Sequence, residues 1–270
     1  LKKLKKKINS KTIAIIAVDI FGQSENINEI KKIIKNKKIK IISDAAQAIG
    51  SKYNNKFSGT LTDIGGYSFN YHKHINTGEG GMIVTNNKKL ANRCKLIRNH
   101  GEAVVENNEK SISNILGYNF RLGEIESAIG IEQLKKMNKI VNFRQKLAKT
   151  LIDGISNLPG LQTPIVKKGN THVYYVIPFV LDLKKLKFNR KKIIELLKKE
   201  KILGIVGGYT NLHLLPIFQN KIAYGKNGFP WSSFNKKISY EKGLCKNAEE
   251  LHDNTFFYLA LCAYDFKISD

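Results

Sequence analysis

Ile13-Ala14-Ile15-Ile16-Ala17-Val18 is followed, after a polar turn, by the stretch 26–35 and then by Ile39-Lys40-Ile41-Ile42-Ser43-Asp44. The first run is apolar without interruption and of strand length, the pattern of a parallel strand buried on both faces. The middle stretch sets Ile27, Ile30, Ile33 and Ile34 on one helical face, with Ser24 placed to cap it. Strand, helix and strand in that order make a βαβ unit. The unit predicts an α/β fold with a mostly parallel sheet, whose ligands bind at the carboxyl ends of the strands. Asp44 stands at such an end.

Working outward, residues 64–69 and 82–85 read as two more strands, flanking a polar loop that contains Lys73. Residues 88–100 and 122–151 turn helical. At Asn157-Leu158-Pro159-Gly160 the composition breaks, which predicts a large domain over 1–157 and a smaller α+β domain over 158–270. The smaller domain should hold a strand at 173–181 and a lysine-rich amphipathic helix at 190–201.

Of the 270 residues 42% are hydrophobic, enough for a packed core. No apolar run approaches the roughly 20 residues that span a bilayer, so neither a span nor a membrane partner is expected. The basic start, Leu1 to Lys7, leads into a strand rather than a signal-peptide cleavage site. Cys94, Cys245 and Cys262 are odd in number and far apart, without disulfide or zinc spacing. A reduced, cytoplasmic location without a bound metal is therefore expected. The net charge of +24 raises the question of nucleic acid, but only five of the 46 basic residues are arginine. Lysine lacks the planar fork that reads bases and phosphates, and here it is scattered among Ile and Asn. Solvated lysine faces are expected, and no nucleic-acid partner.

Four clusters carry chemistry. Ser43-Asp44-Ala45-Ala46-Gln47 puts a carboxylate at a strand end, where a capping Asp is the plain alternative. Ser68-Phe69-Asn70-Tyr71-His72-Lys73-His74-Ile75, followed by Gly78-Glu79-Gly80-Gly81, puts a lysine five residues beyond a serine. Such a lysine could reach a cofactor whose phosphate the serine holds, although a solvated lysine is the plain alternative. Arg98-Asn99-His100-Gly101 and Leu116-Gly117-Tyr118-Asn119-Phe120-Arg121 are polar clusters between helical stretches.

In this order and spacing the clusters closely resemble the DegT/DnrJ/StrS family of sugar aminotransferases, fold-type I enzymes that use pyridoxal 5'-phosphate (PLP). The Ser-Phe-x-x-x-Lys-x-Ile-x-x-Gly-Glu-Gly-Gly segment is the most specific match. The resemblance implies that Lys73 is the Schiff-base lysine and that Asp44 partners the cofactor's ring nitrogen. It further implies that Ser68 holds the phosphate, that Gln47 lies against the ring, and that Asn119 reaches the neighbouring subunit's cofactor in a homodimer. Tyr209-Thr210-Asn211-Leu212-His213-Leu214-Leu215-Pro216 is similar to a segment facing the family's sugar pocket, which makes Tyr209 and His213 substrate candidates. A buried structural role is the alternative for His213. The implied reaction moves an amino group from an amino acid, with glutamate the expected donor, to a keto-sugar linked to a nucleotide, in cell-surface polysaccharide or deoxyaminosugar biosynthesis. The chain begins just inside the family's pattern, and Tyr264 to Asp270 stop short of a final helix. The resemblance thus implies a fragment without the N-terminal part of the large domain.

Two other readings compete. A PLP keto-deoxysugar 3-dehydratase of the same family uses a histidine in place of the lysine, and His72 and His74 flank Lys73. Counting five residues on from Ser68, or back from Gly78, lands on Lys73 and favours transamination. A basic interaction module without catalysis is the reading from another class.

Overall fold

The computed structural model describes residues 1–35, 37–102, 115–234 and 238–261; Cys262 and Tyr264 to Asp270 lie outside them. The chain forms two compact units. One comprises residues Leu1–Lys149 and Ile165–Tyr175; the other comprises Thr150–Pro164 and continues from Val176. The compositional break at 157–160 therefore falls inside the second unit, and residues 165–175 return to the first.

The first unit holds α1 (Lys2–Lys7), β1 (Ala14–Val18), α2 (Ile27–Ile33), β2 (Lys40–Asp44), the short hairpin β3 (Lys52–Tyr53) and β4 (Lys56–Phe57), β5 (Ile64–Ser68), β6 (Gly81–Val84), α3 (Lys88–Arg98), and α4 (Glu124–Ile155) through Lys149. Its main sheet runs β1-β2-β5-β6, with β1, β2 and β5 parallel and β6 antiparallel to β5. Ala17 and Ile41 pack one face of this sheet against Ile27 and Ile30 of α2. The opposite face is open: Ile16 is 66% and Val18 42% exposed. The expectation of burial on both faces is thus corrected. Side chains alternate along a strand, and α2 covers only the side that carries Ala17 and Ile41.

Two further expectations shift. The cap of α2 is Asn26, whose side chain accepts from the Glu29 N–H, and not Ser24. Ser24 is buried instead, its hydroxyl donating to Glu25 O at 3.1 Å. The strand expected from Val173 begins at Val176, because the Val173 and Tyr175 amides are taken by the carbonyls of Gly22 and Phe21.

The second unit is α+β. It contains β7 (Leu161–Gln162), β8 (Val176–Leu181), α5 (Arg190–Lys199), β9 (Ile205–Gly207), α6 (Pro216–Asn220), α7 (Lys246–Glu250) and β10 (Phe256–Ala260). Its sheet has the order β7-β8-β10-β9 and is antiparallel. Phe179 and Phe257 face each other across β8 and β10 with ring centroids 5.1 Å apart, and both are buried. Among the described residues no helix is long and apolar enough to cross a membrane.

Candidate active site

The carboxyl ends of β1, β2 and β5 lie side by side, with Val18 in register with Asp44 and Asp44 with Gly66. Two carboxylates meet there with different surroundings. Asp19 is 1% exposed; its Oδ1 accepts from the Glu25 N–H at 2.8 Å and its Oδ2 from the Ser43 hydroxyl at 2.8 Å. Burial raises its pKa above the usual range, against the opposing pull of those bonds. Asp19 braces the turn. Asp44 lies exposed on the open face, its Oδ1 accepting from the Ala46 N–H at 3.1 Å. The capping alternative for Asp44 therefore has a local basis, and one oxygen suffices for it.

Gln47 is set by the same turn. Its Oε1 accepts from the Phe21 N–H at 2.7 Å, and Phe21 has a left-handed backbone with φ 59°. A backbone N–H requires an acceptor, so the oxygen must point to Phe21 and the side-chain NH₂ is left as the group to offer a ligand.

Lys73 lies in the loop joining β5 to β6. The Phe69 N–H donates to Gly80 O at 2.8 Å, the Thr77 N–H to Phe69 O at 3.0 Å and the Lys73 N–H to Asn70 O at 2.9 Å, which closes the loop on itself. At Gly80, with φ +147°, a Cβ would stand 2.8 Å from the Thr77 hydroxyl, so glycine is required. Ser68 ends β5 and its hydroxyl accepts from the Asn70 N–H at 3.3 Å. Ile75 anchors the loop in a core with Ile49 and Ile140. The Lys73 amine is half-buried, 4.5 Å from the centroid of the Tyr175 ring. Burial pushes its pKa below the ordinary lysine range, and the nearby Asp44 carboxylate partly opposes this.

His74 is 2% exposed and its Nε2 lies 2.8 Å from Val173 O. A carbonyl only accepts, so Nε2 carries the hydrogen. Burial, aided by Arg144, pushes the ring down to a pKa of about 3, and it stays neutral. Arg144 of α4 is itself 3% exposed and donates to Tyr174 O at 3.0 Å and Tyr175 O at 3.2 Å.

Of the residues expected from the sequence, Asp44, Gln47, Ser68 and Lys73 therefore sit at the ends of β2 and β5 and in the segments that follow them. Asn119 is exposed on a segment that pairs with the end of α3: the Tyr118 N–H donates to Ile97 O and the Phe120 N–H to Arg98 O. Tyr209 and His213 belong to the second unit. Tyr209 is exposed, whereas His213 pairs at 2.9 Å with Glu249, which also accepts from the Gly243 and Cys245 amides. Burial works against the Glu249 charge, yet the amides of Cys245 and Gly243, with His213, hold its carboxyl below the usual range. Asp19, Arg144 and Tyr175 were not singled out from the sequence, and His74 only as a neighbour of Lys73. Asp19 lies in the polar turn that follows Val18, and nothing local marks it as buried. No group of side chains suited to a metal ion is present among the described residues.

The sequence pattern of the DegT/DnrJ/EryC1/StrS aminotransferase family matches residues 1–241. The chain belongs to this family. An uncharacterised protein of Methanocaldococcus jannaschii is 36% identical over 87% of the chain and 61% of its own length. The UDP-4-amino-4,6-dideoxy-N-acetyl-beta-L-altrosamine transaminase of Helicobacter pylori is 35% identical over 81% of the chain and 56% of its own length. GDP-perosamine synthase of Vibrio cholerae is 30% identical over 85% and 60%. Among solved structures, Helicobacter pylori PseC, an aminotransferase involved in pseudaminic acid biosynthesis, superposes with a TM-score of 0.76 at 29% identity, covering 97% of this chain and 64% of that one. An Escherichia coli GDP-4-keto-6-deoxy-D-mannose-3-dehydratase with bound hydrated PLP gives 0.76 at 26% identity, over 98% and 67%. The fold is the α/β fold of the fold-type I transferases. The chain spans about 60% of the length of the curated relatives it matches.

Proposed function

We propose that this chain carries the cofactor site of a PLP-dependent aminotransferase acting on a nucleotide-linked keto-sugar. An amino acid, glutamate in our reading, is the donor, and the enzyme works as a homodimer in the cytoplasm. The observation that carries the proposal is the half-buried Lys73 amine in the loop after β5, together with the exposed Asp44 carboxylate at the end of the adjacent parallel strand β2.

The donor set fits PLP. Lys73 brings an amine whose proton is lost more readily than usual, and Asp44 a carboxylate on the open face of the sheet. Beside Asp44, Gly66 has nothing within 4 Å of the place a Cβ would occupy, which leaves room for a flat ring on that face. When bound, PLP supplies an electron sink that makes the proton on the amine-bearing carbon acidic. Asp44, ionised, would keep the ring nitrogen protonated. The Lys73 amine would join the cofactor at rest and, once displaced by the donor, carry the proton between two carbon atoms. The Ser68 hydroxyl is a donor for a phosphate oxygen, and the Gln47 amide N–H a donor to the ring's surroundings. Leu116, Tyr118, Phe120 and Ile125 are exposed around Asn119, at 78%, 50%, 65% and 76%, which supports burial against a second subunit. Tyr209 and His213 remain substrate candidates; His213 would act with its imidazole oriented by Glu249.

The test is attachment. The purified chain incubated with PLP should show a visible absorption band that borohydride abolishes, and peptide mapping should then find pyridoxyl on Lys73. Modification of another lysine, or none, would overturn the assignment; no band at all would favour a basic interaction module. The likeness to a 3-dehydratase motivates a second reading, in which the sugar loses water instead of gaining nitrogen. Against it, His74 is buried on Val173 O while the Lys73 amine is half-buried over the Tyr175 ring. Release of water without amination of a keto-sugar would decide for the dehydratase.

A further inference from the structure

We infer that Tyr175 is a positioning residue for Lys73, its ring face holding the lysine ammonium. The Nζ atom lies 4.5 Å from the ring centroid, within the roughly 6 Å over which an ammonium is attracted to an aromatic face.

The placement of the ring is specified from three directions. The Tyr175 N–H donates to Phe21 O at 2.9 Å and the Val173 N–H to Gly22 O at 2.8 Å, which ties the segment to the turn after β1. Val173 O accepts from His74 at 2.8 Å, which ties it to the residue next to Lys73. Arg144 ties it to α4 through the carbonyls of Tyr174 and Tyr175. Burying a guanidinium is costly, and here it is used on two carbonyls of one short strap. Gly22 belongs to the same arrangement: with φ +106°, a Cβ there would stand 2.9 Å from Val173 Cγ2. Tyr174 takes a left-handed φ of 48° between Val173 and Tyr175, and its N–H donates to His172 Nδ1 at 3.0 Å. The lysine loop and the ring that faces its amine are thus held on one frame.

Two effects oppose each other at the amine. Burial favours the neutral form, while the ring face and Asp44 favour the ammonium. A leucine at 175 would keep the apolar cover and remove the π face, so the amine should lose its proton at lower pH.

The inference deepens the role proposed for Lys73, and the two fail separately. Trace labelling of the purified chain with acetic anhydride across pH, without cofactor, reads the titration of Lys73 by mass spectrometry of its peptide. Tyr175→Phe should titrate like the unsubstituted chain, and Tyr175→Leu should fall by roughly half to one pH unit. Exposed Lys40 should not move in either. Should the leucine variant not fold, Tyr175→Met also lacks a π face and should show the same fall. In the unsubstituted chain, ring current should displace the Lys73 ε-methylene protons upfield, assigned through Lys73→Arg. An unchanged titration in the leucine or methionine variant, an equal fall in Tyr175→Phe, or an undisplaced methylene would overturn the positioning role. None of these outcomes touches the attachment of pyridoxyl to Lys73, which the mapping experiment decides alone.

Discussion

Gln47 Oε1 accepts a 2.7 Å hydrogen bond from the backbone N–H of Phe21, twenty-six residues earlier in the chain. Phe21 has the left-handed φ of 59°, which costs a non-glycine residue on the order of 1 kcal/mol, so the turn depends on such outside contacts. Gln47→Ala strands that N–H and should destabilise the first unit by about 1–2 kcal/mol, read from the urea midpoint. Gln47→Glu keeps an acceptor and should lose less. Equal losses in the two variants would show that the hydrogen bond does not hold the turn.

Asp44→Asn should leave the fold intact, because an amide oxygen can still accept from Ala46 as the carboxylate does at 3.1 Å. PLP should still bind, but the half-reaction with the amino donor should slow by orders of magnitude, since a neutral amide cannot keep the ring nitrogen protonated. The Lys73 amine should also titrate lower without its acidic neighbour. Single-turnover absorbance measures the first effect; near-normal turnover would remove Asp44 from the mechanism.

Stability should rise with pH through the histidine range. His74 and His172 are pushed by burial to about 3 and about 4, from an ordinary value of 6.5. Between these values the unfolded chain takes up protons that the folded chain refuses. Their contribution is therefore complete above 6.5 and is lost as pH falls through the window. Each histidine adds a slope of up to about 1.4 kcal/mol per pH unit. The raised Asp19 acts oppositely, its folded carboxyl keeping a proton that the unfolded chain has released. His172→Asn retains an acceptor for the Tyr174 N–H and cannot titrate, so the slope should flatten by up to one proton's worth. His74→Gln, still able to donate to Val173 O, should do the same. Urea unfolding across the window checks both, and unchanged slopes would contradict the assignment.

If Asn119 completes the site of a partner subunit, a chain carrying Lys73→Ala and another carrying Asn119→Ala should each be impaired alone. Mixed, they form some dimers in which one site keeps both residues, and part of the activity should return. Demonstrated subunit exchange without any recovery would argue for self-contained sites.

The four strands of the first unit's main sheet were legible to within a residue or two. The stretches read at 64–69 and 82–85 are strands at Ile64–Ser68 and Gly81–Val84. The period of the apolar residues is a local property, and so is the helical stripe that places Ile27 and Ile30. The helix cap was not legible: Ser24 and Asn26 are both able to cap, but it is Asn26 that accepts from the Glu29 N–H, while the buried Ser24 hydroxyl donates to Glu25 O. The start of β8 was missed for a similar reason, since the apolar run from Val173 does not reveal that two of its amides serve the turn at Phe21 and Gly22.

By itself the sequence determined the βαβ order, the place of Asp44 at a strand end, the register that puts Lys73 rather than His72 or His74 five residues beyond Ser68, and membership of the family. Each rests on spacing along the chain, which neighbouring residues enforce through backbone geometry alone. Only the tertiary structure decided that Asp19 is a buried brace, that one face of the sheet lies open, that His213 is held by Glu249, and that Tyr175 covers the lysine amine. These depend on partners distant in sequence, such as His74 and Val173, ninety-nine positions apart. Whether such groups meet is set by how the elements pack, a global balance of burial and hydrogen bonding that no local pattern encodes.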